Sequence, residues 1–356
     1  MIRDQHIPIM TNEILSFINR KKNLSILDCT FGGGGHSKRF LENGHFVTAI
    51  DQDDNSSIIA NQLKKNFSNI FFYKNNFKNL DLLNLDTKKF NFILLDLGFS
   101  SNQLDDNDIG LSFKINSDLN MNYLGGDLNA YKIINYYNID ELKRVFYVYG
   151  EIKQAEKLAK FIINQRSIKK IDTNFEFIEV LRESGVNFRS KKIHFATQAF
   201  QALRIESNNE LENLEIFLKK VHDFLDNEAY LAIISFHSLE DRIVKNYFKD
   251  NKVKKNNNFQ NNKDWGFEIL TKKPLLDTFA AMGRHKVLLG PYRDDLRWVY
   301  HGMAVIIMSL DMIKIHRISN TRHLIEFFHI AEYIRIICNL LLITFEVTVI
   351  NRVKAN

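Results

Sequence analysis

Four consecutive glycines, Gly32, Gly33, Gly34 and Gly35, follow an apolar run at 24–27 and precede an amphipathic stretch at 37–42. A chain that turns this sharply after a strand needs residues without Cβ, both to reach positive φ and to let a ligand touch backbone. About twenty residues further on, as such motifs require, a second apolar run at 46–50 closes on Asp51. Strand, glycine turn, helix, strand, acid is the order that holds a nucleoside cofactor at the C-terminal edge of a parallel sheet. The acid reaches the ribose hydroxyls. Counting from Gly32, the third glycine of the dinucleotide fingerprint is replaced by Ser37, which disfavours a nicotinamide cofactor. A plain tight turn, with Asp51 serving only to cap the next helix, is the structural alternative.

Short apolar runs at 24–31, 46–51, 70–73, 90–97, 229–238 and 267–271 read as strands, with helical spacing between the first four. The alternation implies a doubly wound α/β sheet. About 130 residues then pass without a good strand. One apolar face recurs at Ile152, Ala155, Leu158, Ala159, Ile162 and Ile163, and 140–147 and 174–181 also look helical. A helical subdomain inserted at the strand-4 exit is expected, followed by one long helix over 197–224. The chain divides into a first sheet part at 1–110, an insertion at 111–195 placed to choose the substrate, a second sheet part at 196–276, and an atypical segment at 277–356. The last boundary rests on composition. Lys outnumbers Arg 29 to 9 before residue 277, but the ratio is 3 to 7 after it, where 5 of the 11 histidines lie. Within that segment the run at 303–309 is expected to replace the final strand of the sheet.

Two cysteines, Cys29 and Cys338, and no paired metal-ligand spacing suit a reducing cytoplasm. The first residues lack the apolar run of a signal peptide, and no segment reads as a confident membrane span. A net charge of +6 suggests a polyanion partner, although a compositional bias toward Lys and Asn would produce the same surplus. Lysine pairs at 169–170 and 191–192 fall in the insertion, where they could meet phosphates.

The polar residues cluster at strand ends. The fourth strand closes on Asp96, followed by Ser100, Ser101 and Gln103. An acid at the end of a buried strand is costly unless it binds something. The fifth runs into His237, with Asp241 and Arg242 behind it; these could contact substrate or simply begin a helix. A segment from His194 to Arg204 carries Phe195 and Phe200, which could stack bases or pack in a core.

Together these segments resemble the RsmH (MraW) family, the S-adenosylmethionine-dependent cytosine-N4 methyltransferases of bacterial small-subunit ribosomal RNA. The matching pieces are residues 6–8, 30–37, 49–51, 94–105, 149–151, 197–205, 233–245 and 271–276. The resemblance implies a class I, Rossmann-like methyltransferase sheet with an inserted helical subdomain. It implies that Gly34, Gly35, His36, Asp51, Phe77, Asp96 and Gln103 line the cofactor site. It further implies a target amine on a decoding-centre cytidine of 16S rRNA in the small ribosomal subunit. Asp96 and His237 are the candidates for catalysis, and no metal is required. Where the family usually has Asp-Met-Arg-Met, this chain has Asn120-Met121-Asn122-Tyr123, losing both charges. Its last strand looks absent after Leu276. A catalytically impaired relative that binds only cofactor or RNA, and a methyltransferase for a small molecule or protein, are the competing readings.

Overall fold

A computed structural model describes residues 8–18, 21–83, 85, 89–99, 103, 108–112, 115–188, 194–252 and 266–268, together with the backbone of 275–276 and 286–290. After a short helix α1 (Thr11–Ile18), strands and helices alternate: β1 (Ser25–Asp28), α2 (Gly35–Glu42), β2 (Phe46–Asp51), α3 (Asp54–Lys64), β3 (Ile70–Lys74) and, past a 3₁₀ turn at Phe77–Leu82, β4 (Phe90–Asp96). Then come β5 (Leu225–Ser235) and the paired β6 (Leu275–Leu276) and β7 (Lys286–Gly290). The seven strands lie in the order β3-β2-β1-β4-β5-β7-β6, with β1 to β5 parallel and β7 antiparallel to β5. This is the doubly wound, Rossmann-like sheet that the alternation implies. The strand order switches direction between β1 and β4, which opens a crevice at their C-terminal ends.

A parallel sheet must be covered on both faces, and the period of two sorts its side chains accordingly. Ile26, Val47, Ala49, Phe92, Leu94, Ala232 and Ile234 share one core with α1 and α2. Leu27, Ile50, Ile93, Leu95, Leu231 and Ile233 share the other with the helices that precede and follow β5.

Between β4 and β5 stand α4 (Ala130–Tyr136), α5 (Ile139–Arg144) with a π-helical turn at Val145–Tyr149, α6 (Ala155–Ile168) and α7 (Asn174–Glu183). They enclose a core of their own, including Ile133, Leu142, Phe146, Leu158, Ile162 and Phe177. Reciprocal caps start two of these helices, Asn138 with Glu141 and Thr173 with Glu176. Helix α8 (Thr197–Asn208) places Ala199, Phe200, Ala202 and Leu203 in this same core. Its polar side chains bind the insertion's backbone: Gln198 donates to the Gly150 carbonyl at 2.9 Å, Gln201 to Tyr149 at 3.1 Å and Asn208 to Met121 at 2.7 Å. The base-stacking segment considered from sequence is thus, at Phe200 and Leu203, a packing face.

The structure corrects two expectations. The single helix over 197–224 is two, α8 and α9 (Glu210–Lys220), followed by a 3₁₀ turn at Val221–Phe224. Asn209 lies between them in the left-handed region, at φ 50°, which asparagine tolerates better than most residues and a continuous helix cannot. The place beside β5 is taken by Lys286–Gly290. The strand proposed at 303–309 lies outside the described residues, as does most of the strand proposed at 267–271, where Phe267 forms an isolated bridge to Lys252. No helix among the described residues is long and apolar enough to cross a membrane.

Candidate functional site

The crevice is built from the turns that leave β1, β2 and β4. Asp28, the last residue of β1, is buried, and that burial pushes its carboxyl up. It accepts the Ser37 hydroxyl at 2.6 Å and the Thr30 N–H at 3.3 Å. Ser37, which breaks the dinucleotide fingerprint, therefore serves Asp28 as a donor. Sequence reasoning missed Asp28, although it carries the same signal as Asp96, an acid ending a buried strand.

The glycines divide by role. Gly34 is left-handed (φ 72°), and a Cβ there would stand 2.7 Å from the Phe31 ring; one at Gly35 would stand 2.9 Å from Pro8. At these two positions protein packing excludes a side chain. A Cβ at Gly33 would meet nothing within 4 Å, so the backbone faces open space there.

Asp51 uses both oxygens locally. Oδ2 accepts the Gly32 N–H at 2.6 Å and Oδ1 accepts the Asp53 N–H at 2.9 Å. Burial pushes its carboxyl up, and these bonds pull it back. The acid thus staples the glycine turn to the start of α3, which Asp53 caps. Gln103 donates to Asp53 at 3.3 Å. A cavity of about 370 Å³ lies here, lined by Gln52, Asp53, Lys74, Gln103 and Ile109 and, from the insertion, by Tyr123 and Leu124. Phe77 opens the turn after β3 and packs edge-on against Phe217, with ring centroids 5.7 Å apart.

At the β4 exit, the Thr30 hydroxyl accepts the Asp96 N–H at 2.7 Å. Asp96 Oδ2 lies 3.5 Å from Nε2 of the buried His36. Asp96 Oδ1 and both His36 nitrogens are buried without a hydrogen-bond partner among the described residues. Asp28, His36 and Asp96 thus interact as one group, and Asp51, Asp53 and Gln103 form a second beside the cavity.

His237 belongs to a different constellation. It caps α10 (Ser238–Asp250), Nδ1 accepting the Glu240 N–H at 3.4 Å. Glu240 accepts in return from the Phe236 and His237 N–H groups at 2.8 and 3.3 Å. An accepting Nδ1 assigns the proton of the neutral ring to Nε2, which faces Glu240 at 3.2 Å and Glu210 at 4.0 Å. The ligand atoms of Glu210, His237 and Glu240 lie within 4.8 Å of one another, a spacing a metal could use. Arg204 also forks onto Glu210 at 2.7 and 2.8 Å, and the Tyr123 hydroxyl donates to it at 2.9 Å. The trio is a compensated ion network. Burial pushes Glu240 up, but the His237 contact and the backbone bonds outweigh it and hold the carboxyl below its usual range.

The altered segment keeps a defined shape. Asn122 accepts the Leu124 and Gly125 N–H groups and donates to the Gly126 carbonyl, and Asn120 donates to the Asp108 carbonyl. Nearby, Glu151 at φ 50° joins the insertion to α10 through Arg242 at 3.0 Å and Ser238 at 3.1 Å.

The description "MraW methylase family" fits residues 3–286, reaching past the segment where the sequence resemblance stops. A protein of Rickettsia bellii, Ribosomal RNA small subunit methyltransferase H, is 44% identical over 255 residues, spanning 71% of this chain and 83% of the relative. The protein of that name from Rickettsia canadensis is 43% identical over 255 residues, 71% and 82% of the two chains. A methyltransferase of Streptococcus mutans, solved in complex with SAH, aligns over 82% of this chain and 98% of its own at 11% identity, with a TM-score of 0.39. That likeness is loose, and the fold rests on the strand order instead. A cofactor with a ribose, an ammonium group and a sulfonium suits this crevice. The carboxylates of Asp51 and Asp96 stand at its edge as acceptors, and Gly33 leaves its backbone open. The chain that presents these acceptors belongs to the MraW methylase family, and S-adenosylmethionine is its cofactor.

Proposed function

We propose that this protein methylates the N4 amine of a cytidine in the decoding centre of 16S rRNA, acting in the cytoplasm on an assembled or nearly assembled small ribosomal subunit. The observation that carries the reading is the buried, unpartnered Asp96 Oδ1 at the β4 exit. It stands in a chain whose Rickettsia relatives are named for small-subunit rRNA.

S-adenosylmethionine supplies a methyl group on a sulfonium, already an excellent leaving arrangement, so no covalent nucleophile is needed. Asp51 would hold the ribose hydroxyls, and Gly34, Gly35, His36, Phe77 and Gln103 would line the rest of the cofactor site. Cytosine N4 is a poor nucleophile because its lone pair delocalises into the ring. An acceptor on its N–H favours the more tetrahedral amine of the transition state. Asp96 Oδ1, with the carbonyls of Leu97 and Gly98, is that acceptor. The N4 proton is lost after transfer. His237 is not its base, since its accepting nitrogen caps α10. The base must be unpaired or flipped to reach this edge. Of the lysine pairs considered for phosphate contact, Lys169 is paired with Glu176 and Lys170 donates to the Asn135 carbonyl at 3.1 Å, while 191–192 lies outside the described residues.

An impaired, binding-only relative is the second reading, raised by the altered segment at 120–123. The local bonds of Asn120 and Asn122, which hold that loop without the missing charges, favour the active reading. The test is labelled S-adenosylmethionine with small subunits lacking the modification. Label in N4-methylcytidine, falling steeply as salt rises, is the expected result. Absence of label, or equal transfer to free cytidine, would overturn the proposal.

A further inference from the structure

Where the crevice opens, the chain that formed β1 parts from β4. The register between the two strands ends at Asp28 opposite Leu94. The Cys29 N–H still bonds to β4, on the Leu94 carbonyl at 2.9 Å, but the Phe31 N–H bonds to β2, on the Ile50 carbonyl at 3.0 Å. Thr30 is the residue between them, at the crossing from one neighbour to the other. There the side chain continues what the ladder began. The Thr30 hydroxyl accepts the Asp96 N–H at 2.7 Å. On the opposite flank of β4, the Leu97 N–H bonds to the Ile234 carbonyl of β5 at 3.0 Å.

Thr30 is itself anchored. Its N–H donates to Asp28 Oδ1 at 3.3 Å, and Oδ2 of that acid, 1% exposed, accepts the Ser37 hydroxyl at 2.6 Å. A line of bonds thus runs from α2 through Ser37, Asp28 and Thr30 to the main chain of Asp96. Beyond that main chain little holds the carboxylate. Oδ2 faces His36 Nε2 at 3.5 Å, and Oδ1 has no hydrogen-bond partner among the described residues. The aim of a side chain with two torsions follows the backbone that carries it. A main-chain acceptor would be there whatever the sequence, whereas a hydroxyl acceptor can be removed by one substitution.

We propose that Thr30 is a positioning residue for methyl transfer: its hydroxyl fixes the backbone of Asp96 and so aims Oδ1 at the amine that receives the methyl group. The proposal rests on the reading above, that Asp96 Oδ1 accepts from the target amine, and adds which group aims it. Thr30 touches no reacting atom; it acts through Asp96.

Hydrogen exchange of the full chain reads the link without any substrate. Thr30→Val keeps the shape and loses the acceptor, so the Asp96 amide should exchange about tenfold faster while the Leu97 amide keeps its rate. Thr30→Ser keeps a hydroxyl and should hold the Asp96 rate within about threefold. Unchanged exchange at Asp96 in Thr30→Val overturns the proposal. The consequence is read with labelled S-adenosylmethionine and small subunits lacking the modification. In Thr30→Val, kcat should fall about tenfold or more, with KM for subunits and calorimetric cofactor affinity within about threefold. Thr30→Ser should recover most of kcat. An unchanged kcat, an equal loss in both variants, or a loss carried by cofactor affinity would assign Thr30 to the glycine turn or to stability alone and overturn the proposal. If the unaltered protein methylates no cytidine, the functional reading fails, while exchange at Asp96 still decides whether Thr30 fixes it.

Discussion

On the β1–β2 side of the crevice, acids are held by backbone a few residues away or by the turn they face. Asp28 accepts from Thr30, and Asp51 from Asp53 and Gly32. On the β4–β5 side the polar groups come from distant segments. Tyr123 reaches Glu210 across 87 positions and Arg242 reaches Glu151 across 91. The first half is a local motif that prepares a site for a small ligand. The second is a knot of long-range contacts that ties the insertion to the strand exits. The difference predicts that damage to one half should leave the other working.

The largest effect should come from Glu210→Ala. Removing one partner of a buried pair leaves Arg204 uncompensated and should lower stability by about 3–5 kcal/mol, read by chemical denaturation. Cofactor affinity of the folded fraction should hold within about twofold. A collapse of that affinity would show that the halves are not separate. Asp51→Ala should do the reverse. Each charge-assisted bond is worth roughly 1.5–3 kcal/mol, so calorimetry should find cofactor affinity at least tenfold weaker, while denaturation shows a smaller loss from the unstapled turn. Unchanged affinity would remove Asp51 from the ribose site.

Tyr123→Phe deletes one hydroxyl bond and should cost about 1 kcal/mol. If the link between insertion and sheet depends on it, KM for subunits rises and cofactor affinity does not. The smallest effect is a slope. Glu240 is held below its usual range, so its contribution is fully present above the ordinary value of 4.5 and is lost as pH falls through the lowered one. Stability of Glu240→Gln should therefore fall less on acidification than that of the unaltered protein. Parallel curves would argue that Glu240 is not held low by the network.

The same contrast explains what the sequence made legible. Strand, glycine turn, helix, strand and acid are contiguous, so the order of β1 to β4 and the place of Asp51 could be read directly. His36 enters through the family resemblance and Asp96 as an acid ending a strand, and the structure brings the two within 3.5 Å. The Glu210–Arg204–Tyr123 knot was invisible, since nothing local distinguishes Glu210 from other acids at a helix start. His237 is open to two readings in sequence, substrate contact or a helix start, and its spacing to Glu240 is that of a reciprocal cap, which is the one the structure shows. The break at Asn209 was hidden because apolar periodicity continues on both sides of it. The final strand was missed at Lys286–Gly290 because the change in composition at 277 drew the boundary too early.

The seam along α8 has a mechanical consequence. A helix that shares its apolar side with the insertion and ties Gly150, Tyr149 and Met121 through Gln198, Gln201 and Asn208 leaves that end of the insertion no joint to swing on. Such an enzyme does not shut like a jaw. On the reading proposed above, the target base would reach the β4 exit already turned out of its helix, without closure of this end of the insertion. Subunits trapped with the target base unstacked should then be modified faster than those in which it is paired, at equal affinity for the cofactor.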